Sequence, residues 1–471
     1  MNASSSNLPA QRIDARGQTH VDWRAVALLA LPLVANSGAQ LVLNLTDVWF
    51  VGRISTNALA AIAAVHWLVI VVLIILSGVG LAVQTIVAQT YGGRRLCRAS
   101  QAVWLGLWGI LLAVPLFFAA AFGGRMLLAH LGLQAPIAQL AADFWVPRVA
   151  GSPFGAAAFA VLGFFNGIGR TRVTLMVTAV MAVSNAILNQ LFIFGLGLGI
   201  AGSGFATTGA QAIGVLTAMA VFLSPEYRAR YRSHLTWKPK WPGLLRQIQL
   251  GFPMGLLWAA DLFGFSVFQL MQVRLGAAAG AATQVVMMLT ACSYLPGVGI
   301  AMAGTTLVGQ SIGAGSRDWA FALGNRIIAL VAIYMGTTGL LLALCGPWLL
   351  PPFLGAADTQ TVSVLALGAR LLWFAAIYQF FDGLNLGSGL CLRGAGDAVV
   401  PALLVIALSW LVFIPLAHAL TFAPGQGWYE MLPLAGLGAL GGWLAVVIYI
   451  ALLGIALWWR WRSRAWMQLQ I

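Results

Sequence analysis

Long apolar stretches recur along the whole chain, and they restrict its fold more than any other feature of the sequence. Twelve stretches are close to or above the ~20 apolar residues that an α-helix needs to cross the hydrocarbon layer of a membrane. They cover residues 24–52, 57–83, 99–122, 137–160, 172–194, 204–224, 247–273, 281–309, 321–345, 363–390, 398–420 and 433–458. The stretches lack the alternation of polar and apolar residues that a membrane β-barrel requires. The pattern therefore predicts an all-α integral membrane protein with twelve transmembrane helices.

The composition supports this prediction. Only 8% of the residues are charged and 61% are hydrophobic, whereas a soluble domain has about 25% charged residues. The four cysteines lie far apart in the chain, so they predict neither a disulfide framework nor a cysteine metal site. We therefore expect no metal centre and no cofactor.

The basic residues orient the predicted helices. When successive helices alternate in direction, every lysine and arginine falls on the side of the N terminus except Arg53, Arg125, Arg148, Arg274 and Arg370. This asymmetry follows the positive-inside rule, which predicts that both termini are cytoplasmic. The net charge of +14 is then explained by membrane topology, and we expect no nucleic-acid partner.

The chain contains an internal duplication. Its longest polar stretch, "SPEYRARYRSHLTWKPKWPG", divides the predicted helices six and six. Three motifs of the first half recur in order in the second: "LALPLVANSG" with "LGFPMGLLWA", "AQTYGG" with "GQSIGAG", and "NGIGRT" with "RGAGDA". The offsets are 221, 221 and 227 residues. We therefore predict two pseudo-symmetric six-helix lobes, inserted into the membrane in the same direction.

This duplication predicts five regions. They are an N-terminal cytoplasmic tail (1–23), an N-lobe with helices one to six (24–224), a basic cytoplasmic linker (225–246), a C-lobe with helices seven to twelve (247–458) and a C-terminal cytoplasmic tail (459–471). Substrates of such duplicated transporters usually bind between the two lobes or within one of them.

Three acidic residues, Asp47, Asp261 and Asp382, fall inside the apolar stretches, whereas the other acids fall in tails, in loops or near a helix end. A charged side chain at the bilayer centre costs about 2.5–3.5 kcal/mol even on insertion scales, so these acids are candidates for function. A carboxylate in such a place can bind and release H⁺ or Na⁺, and the sequence leaves both ions open. For Asp47, the alternative is an ion pair with Arg53; for Asp261, it is a packing hydrogen bond.

Other polar residues accompany these acids. Tyr378 lies one helical turn before Asp382, so the two side chains share a face, and an aromatic ring beside a carboxylate suits a metal ion or an organic cation. Packing in the core is the alternative. Asn185 and Asn189 share a face of the fifth helix. Their alternative role is a hydrogen bond between helices, which contributes less than about 2 kcal/mol.

Characteristic spacings connect these acids to other residues. In the first helix Asp47 follows Pro32 by fifteen residues, and in the seventh helix Asp261 follows Pro253 by eight. In the tenth helix "YQFFD" comes shortly before "LRGAGD". In these features the chain resembles the MATE (multidrug and toxic compound extrusion) family, and within it the NorM-like branch. That branch usually carries glutamate where this chain has Asp261.

The resemblance extends from about residue 24 to 458. It implies the export of bulky, often cationic, amphipathic compounds in exchange for Na⁺ or H⁺. It also implies a C-lobe cation site at Asp261, Asp382 and Tyr378, an N-lobe cation- or proton-coupling site at Asp47, Asn185 and Asn189, and a bend of the first helix at Pro32. The expected protein is a monomer in the bacterial inner membrane that contacts lipid and small amphipathic or cationic substrates.

Other functions are less compatible with the sequence. A lipid-linked oligosaccharide flippase of a related superfamily needs an arginine-rich cavity to hold diphosphate, and few basic residues lie on the outer side here. A membrane enzyme needs paired DxxxD, HExxH or serine motifs, but the five histidines are isolated and no DxxxD occurs. A passive channel stays open as an alternative, although one acidic site per lobe favours alternating access. We therefore predict an antiporter and not an enzyme.

Overall fold

The computed structural model of the chain describes residues 8–14, 17–128, 135–351, 359–429 and 434–469. Parts of the predicted tails (1–7, 15–16 and 470–471) and residue 433, where the last predicted stretch begins, lie outside the described residues. The described chain is built from long α-helices, with one short β-hairpin before the first of them. The prediction of an all-α fold is confirmed, apart from this hairpin.

The elements divide into two halves at the polar linker. The first half contains β1 (Gln11–Ile13), β2 (Thr19–Val21), α1 (Trp23–Gly52), α2 (Thr56–Gly92), α3 (Leu96–Leu128), α4 (Ala135–Ala150), α5 (Ser152–Gly167), α6 (Thr171–Asn189), α7 (Gly199–Phe222) and α8 (Pro225–Tyr231). The second half contains α9 (Trp241–Arg274), α10 (Ala277–Gly313), α11 (Arg317–Leu344), α12 (Gly346–Leu349), α13 (Thr359–Ala395), α14 (Val399–Ala407), α15 (Ile414–Thr421) and α16 (Gly438–Arg462).

Within the described residues, eleven helices are long and apolar enough to cross a membrane, and a bent pair completes a twelfth span. This pair is α4 and α5, which meet at an angle of 40°. The break lies at Gly151, where a Cβ atom would overlap the side chain of Thr208, and Pro153 suits the first turn of α5. The single helix predicted for 137–160 is therefore wrong, because the span is broken and continues to Gly167.

Two spans contain a π-helical turn at corresponding places in the two halves. Gln190–Gly195 continues α6, and Leu408–Phe413 connects α14 to α15. These turns widen the helix locally, and such turns occur often at functional sites. Each of them lies next to a candidate acidic site, as described below.

The first helix of each half packs along the second helix of the other half. α9 crosses α2 so closely that a Cβ atom on Gly251 would overlap the backbone oxygen of Gly78. In the corresponding crossing of α1 with α10, a Cβ atom on Gly299 would lie 2.6 Å from the backbone nitrogen of Val34. Small residues permit such close helix contacts in membranes, where packing drives helix association.

Both ends of the described chain meet at the start of α11. The indole Nε1 of Trp319 donates to the backbone oxygen of Pro9 at 2.9 Å, so the hairpin lies against this helix. From the other end of the chain, the indole Nε1 of Trp461 donates to Oδ1 of Asn325 at 3.0 Å. We call this the terminal end of the bundle; it is the end at which α1 begins, α2 and α10 finish, and α16 finishes.

The close contact at Gly251 predicts that adding a single methyl group there lowers the stability of the protein. Gly251→Ala forces α2 and α9 apart, and overpacking of this kind costs about 1–3 kcal/mol. Thermal unfolding of the purified protein in detergent should show a lower midpoint than for the wild type. Gly38→Ala in α1 is the matched control, because nothing lies within 4 Å of its added methyl group. Equal midpoints for the two variants would contradict this account of the crossing.

Candidate functional site

The carboxylate of Asp47 in α1 is held by three neutral donors. The side-chain amides of Asn185 and Asn189 donate to Oδ1 at 2.9 and 2.8 Å, and the hydroxyl of Thr207 donates to Oδ2 at 2.9 Å. Asn185 and Asn189 are buried completely. The structure thus brings together the three residues predicted for the N-lobe and adds Thr207 from α7.

Helix geometry places these donors. Asn185 and Asn189 are one turn apart at the end of α6, so their side chains project in the same direction, and the π-helical turn follows directly. Nδ2 of Asn189 also donates to the backbone oxygen of Asn185 at 3.0 Å. Oδ1 of Asn189 is buried without a hydrogen-bond partner among the described residues. The site therefore holds a carboxylate and one further oxygen that is available to a ligand.

The alternative of an ion pair between Asp47 and Arg53 is not what the structure shows. The guanidinium of Arg53 lies over the ring of Trp49, 4.8 Å from the ring centroid. Arg148 of α4 is the basic residue whose charge acts on Asp47 from a longer distance, and its Nη1 is 3.5 Å from the hydroxyl of Ser152. Neutral hydrogen bonds thus provide the direct contacts of Asp47.

In the second half, Asp261, Asp382 and Tyr378 line one cavity, which has a volume of about 290 Å³. Asp261 comes from α9 and the other two residues from α13, where Asp382 is 8% and Tyr378 is 7% exposed. Most of the remaining wall is apolar; it includes Met254, Leu257, Trp258, Phe265, Met287, Leu386 and Leu453. A mainly apolar cavity with a few convergent polar groups is the usual form of a small-molecule site.

Neutral donors hold these two carboxylates as well. The hydroxyl of Tyr449 in α16 donates to Oδ1 of Asp261 at 2.7 Å, and the side-chain amide of Asn385 donates to Oδ1 of Asp382 at 3.1 Å. The ring of Tyr449 stacks on Phe413, with centroids 4.7 Å apart. Phe413 belongs to the second π-helical turn, so this turn orients the phenol that binds Asp261.

Sequence reasoning missed Thr207, Tyr449 and Asn385. Tyr449 offered a signal, because a hydroxyl in the middle of an apolar stretch needs a hydrogen-bond partner there. Asn385 lies three residues after Asp382, within reach on the same helix face. Thr207 offered no such signal, because a threonine hydroxyl in a helix can donate to the backbone of its own helix. The hydroxyl of Thr207 does this too, with the backbone oxygen of Ser203 as acceptor at 3.0 Å.

Two charged residues, Asp397 and Arg393, are buried at the terminal end of the cavity, although the sequence predicted that they lie in or beside a loop. Asp397 is 3% exposed, and its Oδ2 accepts from Nε of Arg460 at 2.7 Å. Arg393 is 9% exposed, and its Nη2 donates to the backbone oxygen of Leu81 at 2.6 Å. Both residues line the cavity, so its wall carries charge of either sign at this end.

Comparison with known proteins places the chain among transporters. The family model MatE matches residues 32–191 and 253–418. The two segments begin at Pro32 and Pro253, at the 221-residue offset of the repeat. "Probable multidrug resistance protein NorM" of Agrobacterium fabrum is 29% identical over 90% of this chain and 92% of its own length. The protein with the same name from Rhizobium meliloti is 28% identical over 98% of this chain and 97% of its own.

Solved structures agree on the fold. The crystal structure of MATE in the bent conformation is similar with a TM-score of 0.80 and 17% identity, over 94% of this chain and 95% of that one. A MOP superfamily transporter from Pyrococcus furiosus is similar with a TM-score of 0.78 and 17% identity, over 94% of this chain and 96% of that one. At this identity the likeness concerns the fold alone.

The Asp47 cluster predicts a local effect on stability. Asn189→Leu removes one of the two amide donors to Oδ1 of Asp47, and a hydrogen bond to a charged group contributes about 1.5–3 kcal/mol. We expect a lower unfolding midpoint in detergent than for Gln190→Leu, which removes the exposed amide of the next residue. If the two variants unfold at the same temperature, the amide does not support Asp47.

Proposed function

The chain belongs to the MATE family of membrane transporters, and from this premise we propose that it is a secondary multidrug efflux antiporter. It exports amphipathic, often cationic compounds and takes up Na⁺ or H⁺ in exchange. The names of its bacterial relatives, multidrug resistance proteins, support this substrate class. Like other members of its family, the protein is an integral membrane transporter and not an enzyme.

One observation carries the proposal: each half holds membrane carboxylates that no basic side chain neutralises directly. In the described part of the chain, Asp47, Asp261 and Asp382 take part in none of the ion pairs. Their hydrogen-bond donors are amides and hydroxyls, so no direct ion pair compensates the charge of any of the three. A carboxylate with uncompensated charge in a membrane binds a cation readily, and this is the property that ion coupling needs.

The C-lobe carboxylates connect the ion to the substrate in this proposal. Asp261 and Asp382 line a mainly apolar cavity, a lining that suits an amphipathic compound, and Tyr378 lines it beside them. An organic cation and the coupling ion then compete for the same carboxylates. Exchange requires that the two ligands favour different conformations of the protein. Each net charge that moves inward per cycle at 100 mV provides about 2.3 kcal/mol, enough for a roughly fifty-fold substrate gradient. A one-for-one exchange of monovalent cations moves no net charge, so the concentration gradient of the coupling ion drives it.

In the N-lobe, we propose a second coupling site formed by Asp47, Asn185 and Asn189. The free Oδ1 of Asn189 supports this role, because hard cations such as Na⁺ prefer oxygen ligands. Pro32 lies within α1, where it removes one hydrogen bond of the helix ladder and weakens the helix locally. In this proposal α1 bends at Pro32 when the occupancy of Asp47 changes.

We also propose that the protein acts as a monomer in the bacterial inner membrane, with both termini in the cytoplasm and without an organic cofactor. The basic excess on the side of the termini supports this orientation. So does the contact of both chain ends with α11, since the hairpin and the last helix then lie on one side of the membrane.

The flippase alternative has less support. A lipid diphosphate needs several basic groups, but the cavity is lined by one arginine, Arg393, together with Asp261, Asp382 and Asp397. The acidic lining favours a cationic substrate over an anionic one.

Transport of a fluorescent cation in everted membrane vesicles tests the function and identifies the ion. A pH gradient and a Na⁺ gradient are imposed separately, and dye movement is followed against vesicles without the protein. We expect one gradient to drive accumulation of the dye. The antiporter proposal fails if neither gradient changes the dye signal.

The C-lobe assignment predicts that its two acids are each required. Asp261→Asn and Asp382→Asn keep the shape of the side chain and remove the charge, so we expect the rate of ion-driven efflux to fall at least about tenfold at normal expression. Asp318→Asn is the control, because the side chain of Asp318 is 90% exposed at the terminal end. Wild-type rates in both cavity variants would exclude the assignment.

The N-lobe site gives a separate prediction. Asp47→Asn should reduce ion-driven efflux, whereas Arg53→Gln should leave it unchanged, because Arg53 contacts Trp49 and not Asp47. The same vesicle assay measures both variants. An equal loss in both, restored in the double variant, would indicate that the two residues act as an ion pair after all.

A further inference from the structure

Hydrogen bonds join the two halves at the terminal end, and they repeat with the symmetry of the duplication. Nε2 of Gln89 on α2 donates to the backbone oxygen of Gly394 at 3.0 Å. Nε2 of Gln310 on α10 donates to the backbone oxygen of Gly167 at 2.8 Å. Gln310 follows Gln89 by 221 residues, and Gly394 follows Gly167 by 227. The two hydrogen bonds are therefore equivalent under the duplication: each half donates one to the other half and accepts one from it.

A second pair of hydrogen bonds between the halves is related by the same internal duplication. The hydroxyl of Thr85 donates to the backbone oxygen of Arg393, and the hydroxyl of Thr306 donates to that of Asn166, both at 3.0 Å. Thr85 and Thr306 are buried completely. All four bonds therefore connect a second-helix side chain of one half with a helix end of the other half.

The acceptors explain why these bonds form. The backbone oxygens of Asn166 and Arg393 already accept from the backbone N–H groups of Gly169 and Gly396, both at 3.0 Å. The backbone oxygens of Gly167, at the end of α5, and of Gly394, in the last turn of α13, lie where the helix itself provides no partner. Side chains of the opposite half satisfy them while the halves are together. If the halves separate, water can replace these donors, so each bond contributes little net free energy. The two halves can therefore separate at this end at a small cost in free energy.

Glycines let the helix ends touch. A Cβ atom on Gly92 would overlap the backbone oxygen of Gln310, and a Cβ atom on Gly313 would overlap that of Gln89. These two contacts are again related by the 221-residue offset. The ends of α2 and α10 therefore meet backbone to backbone, with no space for a side chain between them.

We propose that these residues form a reciprocal lock: Thr85, Gln89, Gly92, Thr306, Gln310 and Gly313 hold the two halves together and close the terminal end of the transporter. The lock sets the equilibrium between the conformation closed at this end and the one that admits substrate there. Its residues act as positioning residues, since they do not contact the acidic sites. The conformation that admits substrate at this end, and the identification of this end with the cytoplasm, rest on the proposed function; the contact between the halves does not.

Distances between spin labels test the lock directly. One label is attached to Cys97, which is exposed at the start of α3, and the other to Arg317→Cys at the start of α11; Cys292, Cys345 and Cys391 are replaced by serine. Electron–electron double resonance in lipid nanodiscs then reports how far the halves are apart at the terminal end. The measurement needs no drug or ion gradient, so a failure of the lock is distinguishable from a failure of the transport proposal.

We expect the labelled parent protein to show mainly the short distance. Gln89→Ala or Gln310→Ala should raise the ratio of separated to joined molecules about fivefold, and the double variant about twenty-five-fold, as the loss of one or two hydrogen bonds predicts. Gln40→Ala, which truncates an exposed glutamine of α1, is the control and should leave the distances unchanged.

Gly313→Ala provides an independent variant that inserts a methyl group and removes no bond. It should make the long distance dominant, whereas Gly123→Ala should not, because nothing lies within 4 Å of its added methyl group. The double glutamine variant loses hydrogen bonds, whereas Gly313→Ala gains a methyl group. If only one of the two folds, that variant still tests the lock. If the double glutamine variant and Gly313→Ala show the same short distance as the parent protein, the proposed lock is wrong.

Discussion

A polar group inside a lipid bilayer has no water to bind, so the protein itself must provide its partner. This constraint governs the acids within the membrane spans: Asp47 is held by amides and a hydroxyl, and Asp261 by the phenol of Tyr449. It governs equally the backbone oxygens at helix ends, such as Gly167, which accepts from Gln310 of the other half. The acids obtain neutral partners that leave their charge free, whereas the helix ends obtain partners that join the two halves.

Hydropathy was sufficient to predict the eleven continuous spans of the described residues, because it is a property of the chain that does not depend on packing. The resemblance to a known family led further, to the grouping of Asp47 with two asparagines and of Asp261 with Asp382. Thr207 and Tyr449 escaped prediction for a physical reason. A helix that is apolar on all sides gives no signal of its rotation about its own axis, so the sequence does not say which residue faces a neighbour.

The break in the fourth span and the burial of Arg393 also depend on tertiary contacts. The sequence does carry a signal for the break, since Pro147 and Pro153 flank Gly151 and each lacks a backbone N–H group. What the sequence does not show is the side chain of Thr208, which occupies the space beside Gly151. The sequence placed Arg393 on the side of the N terminus but did not indicate its burial, which arises because its guanidinium binds the backbone of α2. The repeated motifs, by contrast, were visible in the sequence, but only the structure shows that Gln89 and Gln310 each bind the opposite half.

The direct backbone contact of Gly92 and Gly313 has a mechanical consequence. Long side chains can adopt many rotamers, so a gate made from them would close to a variable depth, whereas two backbones that touch cannot approach further. The helix ends therefore act as an end-stop with a single, hard limit. In the proposed lock, van der Waals contact between two backbones then defines how closely the two halves can approach at this end.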